Sequence, residues 1–276
     1  MSALPVLEGM PLLPPGNVEL KWSETMKKRK NRISLFLVFL VLGILLAPPV
    51  CAGTGDDNDA SYPEVGVEWI NEYQAPSNDL PNSDDCAIGF YNVLCNAGWT
   101  PKFNKGTYTA SALHWVWDGS DTTYVDGADI VFFAGHGWNC GILISTVEWM
   151  WFNDCEWGDY DAEWVLLHSC HTVQIPGEFK VSPHWALNGA HLICGFDTVG
   201  YDYPQDGGAI GSRLVSGNKI RHAWYLALDE THGSDVRAGI VGENAACGDD
   251  HIWGEGTVVA DPPVDSEIYR WLYQCN

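Results

Sequence analysis

With 276 residues, 46% of them apolar and 18% charged, the chain is long enough to bury a sizeable core and too apolar to be a disordered segment. Its 36 acidic residues against 14 basic ones give a formal charge of −22, which leaves little basic surface for a nucleic acid. The bland account of so much acid is solubility outside the cell; the sharper one is attraction of cations or basic segments.

Taken in chain order, residues 1 to 25 carry no readable signal. Lys27, Lys28, Arg29, Lys30 and Arg32 then precede an unbroken apolar stretch from Ile33 to Ala47, followed by Pro48, Pro49 and small residues up to Ala52. A basic region, a short apolar run and a small-residue end predict a secretory signal peptide cleaved after Ala52. The run is short for a membrane span, and an uncleaved N-terminal anchor is the alternative, the only route to a membrane partner. The expected organisation is an extension with signal peptide or anchor over 1–52, a polar linker over 53–64 and one α/β domain over 65–276. Without the leader's six basic and three acidic residues, 8 basic and 33 acidic remain, a formal charge of −25.

VGVEWI, from Val65 to Ile70, alternates like a first strand, and the segment starting at Ser83 has a capping Ser or Asp before a helical apolar pattern ending near Gly98. Residues 100–127 are loop-rich and ambiguous. Short apolar runs follow at 129–134, 164–167 and 191–196, then helices around 209–215 and 220–228, and RAGIVGE as a last short strand candidate. Strands alternating with helices predict a three-layer α/β/α sandwich around a mostly parallel central sheet. There is no internal repeat.

Two of these runs end in reactive side chains: IVFFAGHG in His136 and Gly137, and WVLLHSCHT in Cys170. In parallel sheets ligands bind beyond the carboxyl ends of the strands, so a histidine and a cysteine at two such ends supply a nucleophile and an acid/base partner. These blocks resemble those of the caspase-like cysteine peptidases, which include legumains, gingipains, clostripains and metacaspases: an apolar strand ending in His-Gly, then a later one ending in Ser-Cys. HLICGF is similar to the next core strand of the gingipain and legumain type. The resemblance implies a caspase-like fold and peptide-bond hydrolysis, with Cys170 as nucleophile, His136 as the imidazole serving the leaving group, and the N–H groups of Gly137 and Cys170 as oxyanion donors. A following helix would favour the Cys170 thiolate. The implied partner is a peptide or protein substrate lying extended beside a strand edge, and no cofactor or metal is called for. Asp197 and Asp202, just past HLICGF, are the candidate substrate-binding residues. The separation of 34 residues between His136 and Cys170 is short for that group, and His168 and His171 flank the cysteine unusually closely.

Two rival readings stand beside this one. His136, Cys140, His168 and Cys170 offer imidazole and thiolate ligands for zinc or copper, whereas Asp118 to Asp121 and Asp56 to Asp59 lack the spacing of a calcium loop. A non-catalytic surface or binding protein on the same scaffold would use some of the 14 Trp and 11 Tyr, among them Trp149, Trp151, Trp157 and Trp164 between the two blocks. Exposed Trp would favour binding; buried Trp, a core. Asp229, Thr231 and His232 read as a helix terminus. Eight cysteines follow the leader, export makes disulfides possible, and spacing does not give their connectivity.

Overall fold

The computed structural model describes residues 62–145, 148–175, 183–263 and 268–276; the predicted signal peptide and the Asp56 to Asp59 cluster lie outside them. The alternating segment forms β1 (Glu64–Trp69), and the capped apolar pattern forms α1 (Ser83–Asn96). Cys86, Ala87, Phe90 and Leu94 make the buried stripe of α1, and Gly98, at φ +103°, takes the left-handed position that ends it. Then come β2 (Thr100–Lys105), β3 (Ile130–Ala134), β4 (Gly137–Trp138), β5 (Gly141–Leu143), β6 (Trp149–Trp151), β7 (Trp164–His168) and β8 (Leu192–Phe196). The chain closes with α2 (Asp206–Leu214), α3 (Ile220–Asp229), β9 (Arg237–Gly242) and β10 (Tyr269–Gln274).

Seven strands make one sheet in the order β10-β9-β8-β7-β3-β1-β2. The five from β2 to β8 are parallel, while β9 runs antiparallel to both β8 and β10. This is the mostly parallel three-layer architecture expected, with a covering layer on each face. Alternation along β3 shows how the layers form. Ile130, Phe132 and Ala134 face α1, α2 and α3, and Val131 and Phe133 face the other way. The three α-helices of the described residues lie on the first face. The second is covered by short 3-10 turns between 112 and 127 and by the separate small sheet β4-β5-β6.

The helix imagined directly after Cys170 is not there among the described residues: Cys170 to Val173 form a turn, and His171 takes φ +56°. Nor are disulfides formed, because all eight described cysteines are free thiols. Among the described residues no helix is long and apolar enough to cross a membrane.

Candidate active site

Pairing of β3 with β7 sets Ala134 beside His168, so both chains leave the sheet at the same edge. The Gly135 N–H donates to the His168 carbonyl (3.4 Å), and Gly137 rests on the turn that carries Cys170. A Cβ at 137 would fall 2.7 Å from Ser169 Cβ and from Thr172 Cγ2, an approach only glycine permits. His136 and Cys170 thereby line one pocket of about 180 Å³, with Leu80, Phe196, Gly200 and Asp202 among its other walls.

His136 is held from two sides. Its N–H donates to the Tyr73 hydroxyl (2.9 Å), and its ring lies 4.7 Å from that of Tyr73. Its Nε2 sits 2.8 Å from the Asn78 carbonyl, and a carbonyl only accepts, so Nε2 is the donor, and in the neutral tautomer this contact selects the lone pair lies at Nδ1. Cys170 is partly exposed, and its sulfur lies 3.4 Å from the Gly200 nitrogen and 3.5 Å from the Gly200 oxygen. Burial pushes its thiol up from the usual value, while the N–H groups of Gly200 and of Cys170 itself pull it back. The turn is closed behind it by the Thr172 hydroxyl on the Ser169 carbonyl (2.9 Å) and by the His171 N–H on the Thr198 carbonyl (2.9 Å). A histidine in the left-handed region costs of order 1 kcal/mol or more, a strain found where a neighbouring side chain must be presented.

The other predicted residues divide. Asp202 lines the pocket, where its carboxylate accepts from the Asn82 N–H (2.9 Å) and the Ser83 hydroxyl (3.2 Å), capping α1 from outside the helix. Asp197 is buried, outside that pocket's lining, with its carboxylate bound by Arg237 and Arg270 at the antiparallel end of the sheet.

The model of a family described as Domain of unknown function (DUF6345) matches residues 67–274. The chain belongs to that family. No curated protein matches it. Among solved structures, this DUF6345 domain is similar to a secreted C11 cysteine protease from Bacteroides thetaiotaomicron, "iotapain", at 12% identity over 66% of this chain and 67% of that one, with a TM-score of 0.39.

The proposed ligand set His136, Cys140, His168 and Cys170 does not converge in this DUF6345 domain. Among the described residues the groups whose ligand atoms do converge are His168, Asp206, His232 and His191, Cys247, Asp250. The reason is strand geometry: His168 ends β7 on the helix-covered face, against Phe132 and Phe196, and meets residues from α2 and the end of α3. Asp206 accepts from Nε2 of His168 and Nε2 of His232, both at 2.9 Å through Oδ2, and from the Thr231 hydroxyl at 2.8 Å through Oδ1. Burial raises the Asp206 carboxyl, but the two imidazoles outweigh it and draw it down to about 2. Thus Thr231 and His232 do more than end a helix. Of the Asp118 to Asp121 stretch, Asp118 is exposed, whereas Asp121 is buried at the start of a 3-10 turn, with its carboxylate accepting from the Thr122 N–H (2.9 Å).

Tryptophans fall in both camps. Trp115, Trp157, Trp164 and Trp224 are fully buried, whereas Trp138 is 50% and Trp151 40% exposed. Trp138 and Trp151 flank Gly141 across the small sheet, Trp149 stacks on Trp151 (5.6 Å), and Trp138 sets its ring 4.9 Å from His171.

Proposed function

We propose that this chain is an exported cysteine-type peptidase that uses Cys170 and His136. The observation that carries the reading is that both side chains line one pocket at the carboxyl ends of two paired parallel strands, where the motif resemblance puts a nucleophile and its proton carrier. The Cys170 proton passes to Nδ1 of the His136 ring in the tautomer whose Nε2–H donates to the Asn78 carbonyl. The sulfur forms a bond to the substrate carbonyl carbon, and the oxyanion is held by the N–H groups of Gly137 and Cys170. Collapse breaks the C–N bond, the amine leaves with the proton of His136, and water then cleaves the thioester to acid and free thiol.

The exposed tryptophan face of the small sheet, adjoining the Cys170 turn through His171, suits the substrate chain. Asp202 supplies negative charge in the pocket, consistent with a basic substrate residue at the cleaved bond. The leader over 1–52 would carry the domain out of the cell.

The test is hydrolysis of fluorogenic peptides carrying Arg, Lys or an apolar residue before the reporter, by the purified full chain. Cys170→Ala is expected to abolish hydrolysis and His136→Ala to lower it by about 100-fold or more. A wild type that cleaves nothing and whose Cys170 resists iodoacetamide under native conditions defeats the reading and leaves a binding protein on the same scaffold.

A further inference from the structure

From the convergence of three buried donors beneath the pocket, we infer that His168, Asp206 and His232 form a binding site for a zinc-type divalent ion, distinct from the cysteine and independent of any peptidase activity. The three come from separate parts of the chain: the last residue of β7, the first residue of α2 and the turn after α3. All three side chains are at least nine-tenths buried.

Two imidazole nitrogens point at the same carboxylate oxygen, each 2.9 Å away, rather than one at each oxygen. With bonds of about 2.0–2.1 Å, ligand atoms around a tetrahedral ion stand about 3.4 Å apart, so the present spacing has to open by about half an ångström. The second carboxylate oxygen is tied by the Thr231 hydroxyl, the outer contact that fixes a ligating carboxylate in orientation. Aromatic rings surround His232: Phe196 at 5.3 Å, Tyr203 at 5.1 Å and Tyr201 at 6.0 Å. Two imidazoles and a carboxylate are borderline and hard donors suited to zinc, and three protein ligands leave a fourth position for water. His168 also lines the pocket that holds Cys170, which gives an ion its way in.

The second convergent group does not compete. His191 engages Asp250 through Nδ1 (2.6 Å) and Asp261 through Nε2 (3.3 Å), so neither ring nitrogen offers a lone pair. In the first group His168 and His232 each engage Asp206 through Nε2 alone, so each ring can shift its proton to Nδ1, which in His232 makes no hydrogen bond, and turn the Nε2 lone pair to an ion.

The experiment uses the full chain, stripped with a chelator and dialysed, then titrated with zinc chloride by calorimetry, with the bound metal counted by mass spectrometry. A tight single equivalent and a raised Tm are expected. His232→Gln and Asp206→Asn should each weaken binding at least 10-fold, while Cys170→Ala retains it. Cobalt substitution of the wild type provides a readout that no variant has to fold for: visible bands of tetrahedral cobalt without thiolate charge transfer are expected. Absence of binding, a thiolate-to-cobalt band, or an equivalent that survives both His232→Gln and Asp206→Asn overturns the inference.

Discussion

Gly137 joins the two halves of the candidate site, because its missing side chain lets the strand end after β3 lie on the turn after β7. In Gly137→Ala the new methyl would meet Ser169 Cβ and Thr172 Cγ2 at 2.7 Å and the Cys170 oxygen at 3.0 Å, so the Cys170 turn must move. Overpacking of this kind costs about 1–3 kcal/mol, which in a chain of this size lowers Tm by roughly 2–4 °C per kcal/mol. Thermal denaturation checks the stability loss, and the rate of Cys170 alkylation checks the displacement; a variant unchanged in both would mean the contact is not made. That His136 and Cys170 stand just past two paired strand ends was legible in the sequence. Each follows an apolar run whose burial is written in its composition. Asp206 and His232 carry no such mark, since they reach His168 across 38 and 64 residues and only the sheet's topology brings them together. Tyr73 and Asn78, which hold His136, were equally invisible, because they lie in the irregular chain between β1 and α1.

Among the elements, β1 does more than its alternation suggests. Glu68 falls on the phase that reads as solvent-facing, yet it is fully buried, because the turns after β2 fold over that face. Its carboxylate accepts from the Ser111 N–H (3.3 Å) and the Trp115 indole (3.1 Å) and meets Nδ1 of His114 at 2.7 Å. Burial raises the carboxyl while these partners lower it, and the net direction is up. Trp115 in turn receives the Trp157 indole on its carbonyl (3.0 Å), so one carboxylate anchors the 111–115 turn of the second covering layer and, through Trp115, Trp157. Glu68→Ala leaves buried polar groups without their acceptor and is expected to cost about 3–5 kcal/mol, with Glu68→Gln milder because an amide oxygen still accepts. Urea denaturation measures both; equal midpoints for Glu68→Ala and wild type would refute the anchor. The central strands were legible because both their faces are buried and their runs are continuous. The edges were not: β2 reads TPKFNK and buries only Phe103, and β10 is largely exposed. Pro and polar residues at an edge suppress the pattern that identifies a strand.

At the scale of the whole molecule, one buried ion pair ties the chain beyond β9 back to the middle of the sheet. His191, the residue before β8, is fully buried between Asp250 and Asp261, with Cys247 close by, and Asp250 also receives the Trp164 indole (3.3 Å) and the Val259 N–H (3.0 Å). Burial lowers the basicity of the ring, but the bonds and charges of the two carboxylates outweigh it and raise it to about 9, against about 6.5 for a free imidazole. The folded state therefore binds one more proton than the unfolded chain between those values. The stabilisation is fully present below about 6.5 and is lost as pH rises through about 9, in total about 3 kcal/mol. Asp126, a carboxyl raised to about 9 mainly by burial, stays protonated in the folded chain and pushes stability the same way with rising pH. The comparison that isolates the latch is thus wild type against His191→Gln, which keeps Asp126 constant. Urea midpoints measured from pH 6 to pH 10 are expected to fall with pH in both proteins and more steeply in wild type, so that the stability gap between them narrows towards pH 10. A gap independent of pH would mean that His191 is neutral in the fold and that its two carboxylates hold it by hydrogen bonds alone.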